Sequence, residues 1–217
     1  MADPVLVLGD AHAERADRRR SLFAAYRASE ARVALQCGDL GHYKLPIQTY
    51  FIGGNNEDFD IIAALRHGRL ESADVGNVQL LHSTVAEVAG LRVAGLTGNY
   101  APSRFERTRQ SLSGERRRHF VADEVEQACQ LQDVDVFLTH QAPHGLPVDE
   151  DYRVGNDAID RIIGAVSPDL CLVGHHHEHA ETTIADTRVI SLAPAWERYY
   201  ELDPDGLTLQ RQDTPPV

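Results

Sequence analysis

Aspartate, histidine and asparagine recur in this chain at one kind of place, just past a short apolar run. Residues 5–8 lead through Gly9 to Asp10, with His12 two positions on. Residues 33–37 lead through Gly38 to Asp39, and residues 49–52 lead through Gly53-Gly54 to Asn55. Residues 134–139 lead to His140, and residues 169–173 lead through Gly174 to His175-His176-His177. Carboxylate, imidazole and amide oxygen, with no thiolate among them, suit Mn²⁺, Fe or Zn²⁺ better than a soft metal. A single Gly-Asp after a strand is commonly a turn or a helix cap. Five such ends in one chain read instead as a dinuclear metal site. Asp39 is the expected bridge, because a carboxylate has two oxygens and can hold two cations at once.

Such a site needs its donors brought to one edge. Apolar runs of four to six residues read as buried strands of a parallel sheet. In open α/β sheets ligands lie beyond the carboxyl ends of the strands, where each of these donors stands.

The motifs Asp10-Ala11-His12, Gly38-Asp39, Gly54-Asn55-Asn56-Glu57, the lone His140 and Gly174-His175-His176-His177 resemble those of the calcineurin-like metallophosphoesterases. The resemblance covers residues 5–193, nearly the whole chain, and residues 46–57 are similar to the RNA lariat debranching branch of that family. It implies a four-layer αββα sandwich of two mixed sheets flanked by helices, with the metals at the strand ends. It also implies that Asp10, His12, Asp39 and His177 hold one cation and that Asp39, Asn55, His140 and His175 hold the other, Mn²⁺ first and Fe or Zn²⁺ next. An extended backbone would aim His175 and His177 the same way and His176 elsewhere. The chain departs from the family at Asn56, where a histidine is usual. An amide has no proton to give near pH 7, so Asn56 is expected to touch the phosphate without protonating the leaving group. Either the metals act alone on esters with good leaving groups or another residue supplies the proton, with His144 the first candidate ahead of His42 and His82.

The chain has 217 residues, 33 acidic against 21 basic, and a formal charge of −12. That length suits one domain, residues 1–217, with about 212–217 a frayed tail. The negative balance argues against broad, nonspecific nucleic-acid binding, though not against a local basic patch. Lys44 is the lone lysine, and arginines 104, 107, 109, 116, 117 and 118 crowd one segment. Guanidinium forks match phosphate oxygens, so Arg104, Arg116, Arg117 and Arg118 are candidate substrate contacts, with a solvated loop face as the alternative. Cys37, Cys129 and Cys171 fit no zinc or disulfide pattern, and neither a leader nor a long apolar run is read in the chain. A cytoplasmic protein, without a membrane partner, is expected.

Between the strands, residues 13–30, 58–66, 120–131 and 156–166 read as helices, the last capped by Asn156. Residues 78–81, 85–88 and 91–96 read as an antiparallel meander, residues 98–118 as a long loop with some helix, and residues 141–154 as a Pro/Gly loop. Beyond residue 174, residues 181–184, 188–192, 199–202 and 207–210 read as antiparallel strands. The function expected is hydrolysis of a phosphate ester, nucleotide- or RNA-like rather than a phosphoprotein. The alternative is a metal-binding interaction module without catalysis.

Overall fold

A computed structural model of the chain describes residues 3–68, 75–148 and 154–217. Two six-stranded sheets pack face to face. The first contains β1 (Val5–Leu8), β2 (Val33–Cys37), β3 (Lys44–Ile52) and β4 (Gly76–Leu80), each parallel to the next. It is completed on the other side of β1 by β11 (Arg198–Asp203) and β12 (Thr208–Asp213), both antiparallel to their neighbours. The second runs in the order β5 (Thr84–Val88), β6 (Leu91–Leu96), β7 (Val136–Thr139), β8 (Leu170–Val173), β10 (Thr187–Ser191) and β9 (Ala180–Ile184). Its four middle strands are parallel, and β5 and β9 turn back along its edges.

The period of two in each strand decides the layers. Val5 and Val7 of β1, with Leu35 and Ile52, face Val93, Val136, Leu138 and Leu172 across the middle of the molecule. The alternate residues Leu6, Leu8, Ala34 and Phe51 pack on Leu22, Ala25 and Tyr26 of α1 (Ala16–Ala28) and Ile62 of α2 (Phe59–Arg66). On the far side Leu96, Phe137 and Val173 meet Val125 of α4 (Ala122–Ala128) and Ile159, Ile162 and Ile163 of α5 (Asp157–Val166). Strands covered on both faces are apolar throughout. The four-layer αββα sandwich is therefore present.

Three expectations change in detail. The meander over residues 78–96 does not form: β4 lies parallel to β3 in the first sheet, and only β5 and β6 make a hairpin, in the second. The chain changes sheets at residues 81–83, where Leu81 is fully buried between them. The closing strands are not all antiparallel, since β10 pairs parallel with β8. The end of the chain is also less loose than expected from residue 212. β12 runs to Asp213, and Thr214 donates its N–H to Glu197 O and its hydroxyl to Ala195 O. Of the expected loop at 141–154, residues 149–153 lie outside the described residues. Asn156 caps α5 as expected, accepting from the Ala158 N–H at 2.9 Å.

Candidate metal centre

The strand ends meet at one edge of the sandwich. Gln36, fully buried in β2, ties the first two together: its Nε2 donates to Gly9 O and Gly38 O, and its Oε1 accepts from the Gly38 N–H. The Ala11 and His12 N–H groups donate to Asp39 O at 3.0 and 2.7 Å. Across the sheets, the Gly53 N–H donates to Thr97 Oγ1 and the Gly98 N–H to Gly53 O. The edge on which the donors stand is thus laced by the backbone itself.

Within it, Asp10 Oδ1 lies 3.5 Å from His177 Nε2 and 3.8 Å from His140 Nε2. Asp39 divides its oxygens, Oδ2 lying 3.5 Å from His12 Nε2 and Oδ1 3.6 Å from His140 Nε2. Asn55 Oδ1 is 3.2 Å from the same His140 nitrogen, and the His175 ring stands 5.0 Å from the His140 ring. All seven expected ligands are brought together. Asp10, His12 and His177 form one group within 4.8 Å, and Asp10, Asp39 and His140 form another. Sequence reasoning gave the bridging position to Asp39; of these two groups Asp10 is the shared member, and Asp39 stands in the second with its Oδ2 3.5 Å from His12 of the first.

Four of these residues, His12, Asp39, His175 and His177, have φ between 45° and 77°. That left-handed region is uncommon for residues other than glycine, and such strain gathers at functional sites. It also corrects the expected geometry of the last motif. Residues 175–177 are not extended: two left-handed residues turn the backbone so that His175 faces His140 and His177 faces His12. His176 stands beside the His175 ring.

The donor set suits a cation on several counts. Asp10 Oδ1 is buried with no hydrogen-bond partner, a condition that costs free energy unless something positive satisfies it. His140 Nδ1 donates to Cys37 O at 2.8 Å, since a carbonyl can only accept, and this leaves Nε2 to face the carboxylates. Metal-holding histidines are commonly oriented in this way by their other ring nitrogen. Burial alone would lower the His140 pKa, but Asp10 and Asp39 hold it up at about 9. The same negative field that draws a proton there would draw a divalent cation. Burial pushes His175 down to about 4, with His140 adding to the effect, so that it is neutral at pH 7. Burial would raise Asp39 too, yet the nearby His140 and hydrogen bonds from Asn56 hold its carboxyl well below the usual range.

Asn56 is exposed, and it supports Asp39: its N–H and its Nδ2 donate to Oδ1 and Oδ2, each at 2.7 Å. Glu57, named in the motif but given no role from sequence, fastens the two loops that flank the site. It accepts from the N–H groups of Leu40, Gly41 and Gly54 and from Tyr43 Oη at 2.5 Å. Burial raises its pKa to about 7 against those donors. Sequence reasoning also missed Trp196, whose ring lies 5.2 Å from His177 and 5.8 Å from His12, with Arg18 stacked on it at 3.5 Å. The Ala195 N–H, donating to Asp10 O at 2.8 Å, holds the tryptophan's loop there. A lone tryptophan was the available signal, but nothing in its spacing joined it to residues 10–12.

Most of the other expected site residues have partners outside this group. His144 is half exposed and paired with Asp160, at 2.6 Å from Nδ1, and with Asp157 at 3.7 Å. It stands at the start of α5, and the partners of its ring are that helix's acids rather than any of the seven expected ligands, the three forming a separate, more exposed group of potential metal donors. His82 lies 2.9 Å from Glu124. Arg117 is held by Asp60 at 2.8 Å, Arg118 lies 3.9 Å from Glu115, and Arg104 donates to its neighbour Ser103 O. Arg116 is exposed. Beside Asn55 and Asn56 opens a groove of about 630 Å³, and the segment's contribution to its lining is Glu115 rather than an arginine.

No protein-family model matches the chain. Lariat debranching enzyme A of Xenopus laevis is 30% identical over 123 residues, 54% of this chain and 22% of that protein. The lariat debranching enzyme of Caenorhabditis briggsae is 24% identical over 200 residues, 75% of this chain and 38% of that protein. The chain thus spans well under half the length of these curated relatives. Among solved structures, a protein of Thermus thermophilus superposes with a TM-score of 0.70 at 17% identity, covering 99% of this chain and 100% of that one. The chain has the calcineurin-like metallophosphoesterase fold. The same metallophosphoesterase sandwich is found, at TM-scores of 0.51 and 0.54, in an archaeal phosphodiesterase (13% identity; 97% and 99% of the two chains) and in the phosphopantetheinyl hydrolase of Mycobacterium tuberculosis (11% identity; 95% and 98%). In this fold divalent metals are implied, and the residue groups above are candidates to hold them.

Proposed function

We propose that the chain is a metal-dependent phosphoesterase that hydrolyses a phosphodiester, nucleotide- or RNA-like in its chemistry, at a dinuclear centre. The observation that carries this reading is the convergence of Asp10, His12, Asp39, Asn55, His140, His175 and His177. Among them a buried Asp10 oxygen has no partner, and the two Asp39 oxygens face different histidines. Names of the relatives, a lariat debranching enzyme and a phosphodiesterase among them, favour the diester. Bound divalent cations, Mn²⁺ in our reading, supply Lewis acidity for the phosphoryl group and acidify the attacking water. The protein's own part is positional. Asn56 fixes the Asp39 carboxylate with two hydrogen bonds, Cys37 O fixes the His140 tautomer, and Glu57 fixes the loops on either side. Asn56 has no proton to give the leaving group, so aryl esters should react faster than alkyl ones. The groove beside Asn56 is lined by four acids, Glu14, Glu57, Asp58 and Glu115, against one lysine, Lys44. It would favour an uncharged or cationic part of the substrate, because a second phosphate there would meet a net negative wall. All three cysteines are free, which suits the reducing cytoplasm. No described helix is long and apolar enough to cross a membrane.

The test is elemental analysis of the purified protein together with hydrolysis of an aryl phosphodiester in added Mn²⁺. Turnover that disappears in Asp39→Asn, with metal lost from both positions, is the expected result. Full metal occupancy without turnover of any phosphate ester would favour the interaction module instead.

A further inference from the structure

Arg18 differs from the other arginines near the centre in having its charge fixed but uncommitted. It is the third residue of α1, and its guanidinium carbon lies 3.5 Å from the Trp196 ring centroid. Such stacking holds a guanidinium flat while leaving its edge of N–H groups free. Its one charged neighbour, Asp17 Oδ2, is 3.9 Å away, too far for a hydrogen bond, and Asp17 already accepts two bonds from Arg15. Among the described residues the Arg18 guanidinium has no hydrogen-bond acceptor. By contrast Arg109 and Arg117 are taken up by Glu124 and Asp60.

Its position gives that free edge a use. One indole separates Arg18 from His177 and His12. Those two histidines form the accessible side of the centre, at 42% and 19% side-chain exposure, whereas His140 and Asp10 are fully buried. Arg18 therefore stands at the mouth. The chain carries a net charge of −12, and the groove beside Asn55 and Asn56 is lined by Glu14, Asp58 and Glu115 together with Lys44. An anionic ester passing these carboxylates is drawn to fixed cations, and Arg18 is one presented beside His177 and His12 without a hydrogen-bonded partner.

We propose that Arg18, held in place by Trp196, binds an anionic oxygen of the phosphate in substrate and product. The proposal rests on the phosphoesterase reading above and extends it by a residue outside the metal ligands. A planar fork on a fixed platform can take two oxygens of one phosphate side by side. Lysine at this position would keep the charge but lose the fork and the stacking.

Trp196 is the chain's one tryptophan, so its fluorescence reports on this stack directly. The experiment titrates inorganic phosphate into metal-loaded wild type, Arg18→Gln and Arg18→Lys. Tryptophan emission is followed, with calorimetry in parallel for variants whose emission no longer responds. Metal content and far-UV dichroism establish that the variants are loaded and folded. The expected result is a saturable emission change in the wild type and a phosphate Kd raised about tenfold or more in Arg18→Gln, as loss of a hydrogen bond to a charged group implies. Arg18→Lys should fall between them, and KM for an aryl phosphodiester should rise more than kcat falls. A Kd and KM in Arg18→Gln equal to those of the wild type would overturn the assignment even if ester hydrolysis is robust. Phosphate binding that depends on Arg18 in a protein that hydrolyses no ester would uphold it and reject the phosphoesterase reading.

Discussion

One added methyl at Gly54 should disable the centre without touching a ligand's own chemistry. A Cβ there would overlap Asp39 Oδ1 and would lie 2.6 Å from the Asp39 backbone nitrogen and 2.7 Å from His140 Nε2. Non-bonded heavy atoms settle near ~3.5 Å, so the methyl intrudes on each by roughly 1 Å. The carboxylate can swing, but the Asp39 backbone is pinned by the Ala11 and His12 N–H groups on its carbonyl. Overpacking of this kind costs ~1–3 kcal/mol, which lowers Tm by roughly 2–10 °C in a chain of this size. The loss of function should be larger, since a displacement of ~1 Å in a positioned group can cost ~10²-fold in rate. Gly54→Ala should therefore show a modest fall in Tm in chelator, a sharp fall in bound metal by elemental analysis, and an aryl phosphodiesterase rate reduced about a hundredfold. Gly164→Ala is the control: it lies in α5 with nothing within 4 Å of an added Cβ, and it should stabilise by ~0.8–1 kcal/mol. Wild-type metal content and rate in Gly54→Ala would refute the close approach of Gly54, Asp39 and His140 on which the site's description depends.

Asn56→His should accelerate alkyl esters more than aryl esters, flattening the dependence of rate on leaving-group pKa, because a positioned acid contributes ~10²–10⁴-fold. The position is exposed, so a ring has room; an unchanged slope across a graded ester series would show that the wild type already donates the proton. Glu124→Gln should destabilise by about 3 kcal/mol, since it leaves the largely buried Arg66 guanidinium without its carboxylate, while Arg109 keeps the carbonyls of Arg117 and His119. Burial alone would raise the Glu124 pKa, but hydrogen bonds from His82 and Arg109 and the charge of Arg66 hold it far below the ordinary 4.5. The wild type's advantage should thus be complete above that value and shrink as pH falls below it, when protons bind the unfolded carboxylate first. Urea unfolding of both proteins at about pH 6 and about pH 3 checks this; an advantage that grew in acid would reverse the assigned sign.

The donors were legible because one rule, apolar run then donor, recurs at five strand ends and needs no knowledge of distant contacts. Burial on both faces made β1, β2, β7 and β8 nearly continuous apolar words, and the Asn156 cap was equally local. What stayed hidden depends on partners far away in the chain. Residues 78–81 look alike as a meander strand or as a parallel neighbour of β3, and the choice is made by where Leu81 is buried. The arginine segment stayed open between a phosphate contact and a solvated face because its acceptors, Asp60 and Glu124, are not neighbours in sequence. Glu57 was visible in its motif, but its grip on Tyr43 and the loop at 40–41 requires the fold. The approach of His177 to Asp10 goes with left-handed turns at His175 and His177 that residue types alone do not announce.

The ligand candidates are shared between the two sheets: Asp10, His12, Asp39 and Asn55 follow strands of the first, and His140, His175 and His177 follow strands of the second. A chain with only one sheet formed owns half a chelate. It would bind cations with the weak affinity of scattered side chains, and the full affinity would appear only when the sheets dock. Metal uptake then works as an inspection of finished folding. By mass action it also rewards the docked state, by about 2.7 kcal/mol for a single site at about a hundred times its Kd. Cations held by these residues would thus add a polar clasp at the edge to the apolar face that already joins the two sheets.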